Sequence, residues 1–192
     1  MDLSKTEKTR QHIIATTAPI FNKKGYAGTS ITDITKATKL TSGSIYGNFA
    51  NKEEVALAAF DHNLDILRRT VQRRVDSCDT TKDKLLMYIR AYHSSQEGSG
   101  CPMQNTLTEA DDTHEGLRKK AAAGILLWKK DLVTVINQGV AEGVFHKDTD
   151  AERTALHIIA LNEFSFLYRS AAGKGTDKLL DIALEVAEKI CV

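Results

Sequence analysis

Apolar residues recur along this chain at intervals of three and four, and glycine or hydroxyl residues punctuate them. From about Lys5 to Lys24, Ile13, Ile14, Ala18, Ile20 and Phe21 mark one face of a helix. Gly25 stops it, because a residue without a Cβ suits a left-handed cap. Pro19 inside it forfeits one backbone hydrogen bond. Ser30, three residues before Asp33, reads as a capping box, and Ile31, Ile34 and Ala37 give a short second helix its inward face. Lys39-Leu40 make a turn, and Thr41 is the N-cap of a third helix over about Ser42 to Phe49, with Ile45 and Phe49 facing inward.

Asn51 then caps a long fourth helix, Lys52 to about Asp76, with Val55, Ala59, Leu64 and Leu67 on its apolar side. A fifth carries Leu85, Met87, Tyr88, Ile89 and Tyr92, and Ser94 to Cys101 reads as a loop. Pro102 opens a short sixth helix. The seventh, about His114 to Glu142, has its stripe at Leu117, Ala121, Ile125, Trp128, Leu132, Val135 and Val140. An eighth runs near Asp150 to Ala172, Gly173-Lys174-Gly175 breaks it, and a ninth covers about Thr176 to Ile190. No strand pattern persists. The expected fold is all-α, about nine helices, with a three-helix head at residues 1–52 and a larger helical body at 53–192.

The charge pattern sharpens this division. The net charge of +1 conceals a head with eight basic and three acidic residues, against 18 basic and 22 acidic in the remainder. A basic end on an acidic body suits a surface that meets phosphate. No apolar run approaches the roughly 18–20 residues that span a membrane, and the N-terminus leads into a charged helix, so a cytoplasmic location is expected. Cys78, Cys101 and Cys191 are odd in number and far apart, and no two of the six histidines stand at i, i+4. Neither a disulfide framework nor a metal site is expected, and no cofactor. Paired carboxylates, a nucleophile–base motif and a Gly-rich phosphate loop are missing too, so an α-helical enzyme is the weakest alternative.

The stretch Thr29 to Lys52 carries the functional reading. Two short helices, each opened by a hydroxyl residue and joined by a tight turn, form a helix-turn-helix whose second helix can enter the major groove. Thr29, Ser30, Thr41, Ser42 and Tyr46 are candidate phosphate ligands, Gly43 permits close approach, and Lys52 brings positive charge to a helix start. For base reading the candidates are Ser42, Ser44 and Asn48, since Asn can hold adenine through two bonds. Gly47 leaves a gap in that face.

Several of these residues fall in one pattern: Ala18-Pro19-Ile20-Phe21, Gly25-Tyr26, Thr29-Ser30, Asp33-Ile34, Thr41-Ser42-Gly43-Ser44-Ile45-Tyr46-Gly47-Asn48-Phe49 and Lys52-Glu53. Over about Arg10 to Phe60 this resembles the tetracycline-repressor (TetR) family. It departs in Thr35, where Ala is usual, in Lys39, where a turn Gly is common, and in Thr41 for Ser. Lys39 would strain the turn at positive φ. The resemblance implies a repressor that leaves a palindromic DNA operator when a small-molecule effector binds the body.

One reading helix gives too little contact for specific binding, so a homodimer is expected, with half-sites about 34–36 Å apart or a multiple. The last two helices are apolar around most of their circumference and should supply the interface, with Leu156, Ile159 and Phe164 on one and Leu179, Ile182 and Val186 on the other. Candidate effector contacts are Met87, Tyr88, Tyr92, Met103 and Leu107, with Trp128, Asn162, Phe166 and Tyr168. Cys101, just ahead of a helix N-terminus, offers an alternative: a redox- or electrophile-sensing repressor on the same scaffold.

Overall fold

The computed structural model describes residues 3–95, 100–172 and 178–192, without the side chains of Ser95, Phe166 and Ser170. Within these residues nine helices follow in order: α1 (Lys5–Lys24), α2 (Ile31–Thr38), α3 (Ser42–Tyr46), α4 (Lys52–Asp76), α5 (Thr81–Ser95), α6 (Pro102–Ala110), α7 (Glu115–Ala141), α8 (Ala151–Ala172) and α9 (Lys178–Glu188). The one extended pairing described is an isolated bridge between Phe145 and Cys191. The all-α expectation holds. The expected break at Gly173-Lys174-Gly175 and residues 96–99 of the expected Ser94–Cys101 loop lie outside the described residues, while Ser94 and Ser95 belong to the last turn of α5 rather than to a loop.

Local chemistry sets the boundaries of the early helices. Ser4 and Glu7 close a capping box on α1, and Ser30 and Asp33 close one on α2, each pair satisfying two amide donors. Thr41 caps α3 by accepting from the Ser44 amide at 3.2 Å. Asn51 Oδ1 accepts from the Glu54 amide at 2.8 Å and so starts α4. The helix α3 is shorter than its sequence suggests. Gly47 ends it by donating to Gly43 O at 2.9 Å, while Asn48 and Phe49 form a tight turn back onto Ile45 O. Lys39 ends α2 at φ 58°, the one non-glycine residue with positive φ among those described. A Cβ in that conformation costs about 1 kcal/mol. Replacing Lys39 by Gly is therefore expected to stabilise the protein by about 1 kcal/mol in urea unfolding, with the turn unchanged.

The chain forms two units, one of residues 1–66 and 102–122, the other of 67–101 and 123–192. Helices α4 and α7 each contribute residues to both. In the first unit, Ile13, Ala18 and Phe21 of α1 meet Ile34, Ile45, Phe49, Val55 and Ala59 in one apolar core. A five-residue helix has no stability of its own, so α3 depends on the burial of Ile45 and Phe49.

In the second unit α5, α8 and α9 pack on one another, and Trp128, Leu132 and Ile136 of α7 are fully buried. Phe145 packs over Gly139, where any Cβ would lie 2.2 Å from its ring. The C-terminal end returns to this corner: His146 donates to Ile190 O and Val192 to Val144 O. Among the described residues, no helix is long and apolar enough to cross a membrane.

Candidate nucleic-acid interface and effector site

The head exposes a polar edge above a hydrogen-bonded, apolar support. Ser30, Thr41, Ser42 and Gly43 are exposed, Tyr46 is half-exposed, and Ser44 is partly covered. Ser30 accepts from the Asp33 amide at 3.1 Å, and its own amide and hydroxyl donate to Asp33 Oδ2 at 2.9 and 2.8 Å. Lys24 holds the other oxygen of Asp33 at 2.7 Å. That ammonium and the Ser30 bonds keep the Asp33 carboxyl well below the usual carboxylate range, so the α2 cap stays ionised.

Behind α3, the Arg10 guanidinium lies 3.9 Å over the Phe49 ring, donates to Asn48 O and pairs with Glu54 at 2.6 Å. Glu54 also accepts from the Ala50 amide at 2.7 Å, and this bond, with Arg10, lowers its carboxyl from the ordinary value. One arginine thus ties α1 to the α3–α4 turn and to α4. At Gly43 a Cβ would meet only Thr41 Oγ1 at 3.9 Å, an ordinary van der Waals contact, so the fold does not require glycine there. At Gly47 a Cβ would lie 3.2 Å from Gly43 O, a tight contact that explains part of its small size.

Two residues read from sequence as phosphate ligands are turned inward. Thr29 is fully buried; its hydroxyl donates to Gly25 O at 2.7 Å and its amide to Tyr26 O. Lys52 directs its ammonium to Tyr26 O and Thr29 O at 2.8 and 3.0 Å, 4.1 Å over the Tyr26 ring. Both hold the α1–α2 turn. Asn48 is intermediate: its Nδ2 donates to Ser44 O at 2.8 Å. Glu109, which no sequence motif marks, binds the same turn from α6 with its carboxylate.

The effector candidates do not gather in one place. Tyr88, Tyr92, Trp128 and Asn162 are all buried in the second unit, and Tyr92 stacks on Trp128 with ring centres 3.9 Å apart. Burial raises the Tyr92 phenol above its ordinary value, so it stays neutral. Trp128 Nε1 and Asn162 Oδ1 are shielded from solvent and have no hydrogen-bond partner among the described residues. Met87 is half-buried there. Met103 and Leu107 sit on α6 in the first unit. Phe166 has its side chain outside the described residues. Tyr168 is 37% exposed, 6.5 Å from Phe164, and so belongs to an outer face.

That outer face is apolar. Leu156, Phe164 and Leu167 on α8 and Ile182 on α9 are each about half exposed, whereas Ile159, expected beside them, is packed into the protomer core. Leu179 and Val186 are half-buried. Cys101 is 1% exposed and hydrogen-bonded to the Glu163 carboxyl, a setting that shields the thiol from an electrophile and does not favour the sensing alternative.

Known proteins share this arrangement. Residues 13–59 match "Bacterial regulatory proteins, tetR family" and residues 81–177 match "Tetracyclin repressor-like, C-terminal domain". A transcriptional regulator of the TetR family from Cytophaga hutchinsonii is 46% identical, superposes with a TM-score of 0.93, and covers 100% of this chain with 99% of its own. A TetR transcriptional regulator from Chloroflexus aurantiacus is 35% identical with a TM-score of 0.88, over 98% of this chain and 96% of its own. The HTH-type transcriptional repressor DhaR of Mycobacterium sp. strain GP1 is 25% identical over 152 residues, 79% of this chain and 77% of its own. With both halves matched and the helix-turn-helix in place, the chain belongs to the TetR family of bacterial transcriptional regulators.

Proposed function

We propose that this regulator is a homodimeric repressor whose head, residues 1–52, reads a two-fold DNA operator and whose body, 53–192, releases it on binding a small molecule. The observation that carries the reading is the exposed hydroxyl edge of α2 and α3, braced from behind by Arg10. In this reading Ser30, Thr41 and Tyr46 hold phosphates, while Ser42 and Ser44 face bases across the bare backbone of Gly43. Asn48 joins them when its Nδ2 leaves Ser44 O. Thr29 and Lys52 act by fixing the turn.

The effector is proposed to sit among Met87, Tyr88, Tyr92, Trp128 and Asn162, with the unpaired Trp128 N–H and Asn162 oxygen supplying polar contacts. Its binding favours a conformation in which α4 sets the two heads at the wrong separation for both half-sites. Such a regulator works in the cytoplasm, where it meets the chromosome. The repressor name of DhaR supports the sign of regulation.

Selecting binding sites from random DNA tests this. A two-fold symmetric site is expected, and Ser42→Ala or Tyr46→Phe should each weaken it about 5- to 100-fold, the range of one lost hydrogen bond to DNA. An asymmetric site would defeat the dimer. If nothing is enriched, the operator reading itself fails.

A further inference from the structure

The α1–α2 turn is held from α6 by a single side chain. Glu109 Oε2 accepts from the Tyr26 amide at 2.8 Å and Oε1 from the Ala27 amide at 2.7 Å. One carboxylate on two successive N–H groups fixes both the position and the tilt of the turn, through charge-assisted bonds stronger than neutral ones. The backbone is bare where the carboxylate arrives. Gly25 has φ +74°, and a Cβ there would lie 2.3 Å from Glu109 Oε2.

Other contacts converge on the same place. One turn earlier on α6, Asn105 donates to Asn22 O at 3.2 Å. The His114 ring meets Tyr26 edge-on at 4.7 Å, and its Nε2 lies 3.6 Å from Glu53. Apolar packing shares the joint: Phe21, Phe60, Met103 and Leu117 are all buried there. A pocket lined by Phe21, Tyr26, Phe60, Pro102, Thr106 and Leu117, about 320 Å³ counting its open mouth, lies between α1, α4, α6 and α7. The polar bonds add direction to that packing, since each fixes a donor to one acceptor.

This turn leads directly into Ser30, the cap of α2, and α2 packs on α3. We propose that Glu109 is a positioning residue for operator binding: its carboxylate sets the α2–α3 pair from α6 without touching DNA. The proposal rests on the reading of α2–α3 as the operator-binding surface. It also gives α6 a direct hold on the turn that leads into α2.

The test uses the full chain as wild type, Glu109→Asp, Glu109→Ala, Gly25→Ala and the Gly25→Ala/Glu109→Ala pair. Binding to the operator selected by the wild type is followed by fluorescence anisotropy, and amide exchange by mass spectrometry. Glu109→Ala is expected to expose the Tyr26 and Ala27 amides while those of Ile34 and Ile45 stay protected, and to weaken operator binding at least about tenfold. Glu109→Asp, which keeps a carboxylate, should recover part of that loss. Gly25→Ala should cost less affinity in the Glu109→Ala background than in the wild type, since the oxygen its Cβ would strike is gone. Operator affinity within about twofold of wild type in Glu109→Ala overturns the proposal alone. So does loss of protection throughout α1–α3, which would make Glu109 a folding residue. A wild type that selects no DNA site overturns the proposal together with its premise.

Discussion

In the proposed homodimer, replacing Phe164 by Glu is expected to separate the two protomers and to weaken operator binding severely while leaving each protomer folded. Phe164 is 53% exposed on α8, in line with Leu156 and Leu167 and close to Tyr168. Ile182 on α9 adds to the same kind of surface. A row of large apolar side chains at helical spacing, each half exposed, is what a two-fold interface buries. Covering the exposed half of one such side chain is worth about 0.8–1.5 kcal/mol, and symmetry counts every contact twice. A Glu there loses that burial on both sides and places two like charges near one another. Because the side chain lies outside the protomer core, the fold itself should lose little. Sedimentation should then report the 21.2 kDa chain in place of twice that mass. Operator affinity should fall on the order of a thousandfold, since the second head no longer binds as part of the same molecule. A wild type that sediments as one chain at micromolar concentration, or a Phe164→Glu variant that stays dimeric, rules this face out.

The head was legible in sequence where its chemistry is local. Ser30 and Asp33 stand three apart, and both bonds of their capping box form; Thr41 and Asn51 cap the helices they precede. Lys39 was recognisable as strained because only the left-handed region closes that turn, and φ 58° is what it adopts. Where partners are distant, sequence reasoning could name a residue but not its employment. Thr29 and Lys52 have the right groups for phosphate, yet the carbonyls of the α1–α2 turn need donors, and Lys52 meets Tyr26 across 26 residues. Glu109 was missed for the same reason, with its partners 82 and 83 residues away and no motif around it. The stripe on α8 misled differently. Apolar residues on most of its circumference gave no way to separate Ile159, which faces the core, from Leu156 and Phe164, which face outward.

The interior of the second unit holds the other large effect. Replacing Glu163 by Gln should stabilise the protein by about 3 kcal/mol at pH 8 and by almost nothing at pH 4. Burial pushes the Glu163 carboxyl from 4.5 up to about 7, with the Cys101 thiol offsetting part of the rise by hydrogen bonding. Between those two values the folded state binds more protons than the unfolded state. Stability therefore falls as pH rises from about 4.5, and the whole penalty is present above about 7. Glutamine keeps the shape of the side chain but cannot ionise, so the penalty disappears with the charge. Urea unfolding of both proteins from pH 4 to pH 8 should give curves that meet at the acid end and separate steadily towards the alkaline end. Parallel curves would mean that the carboxyl is solvated in the folded chain.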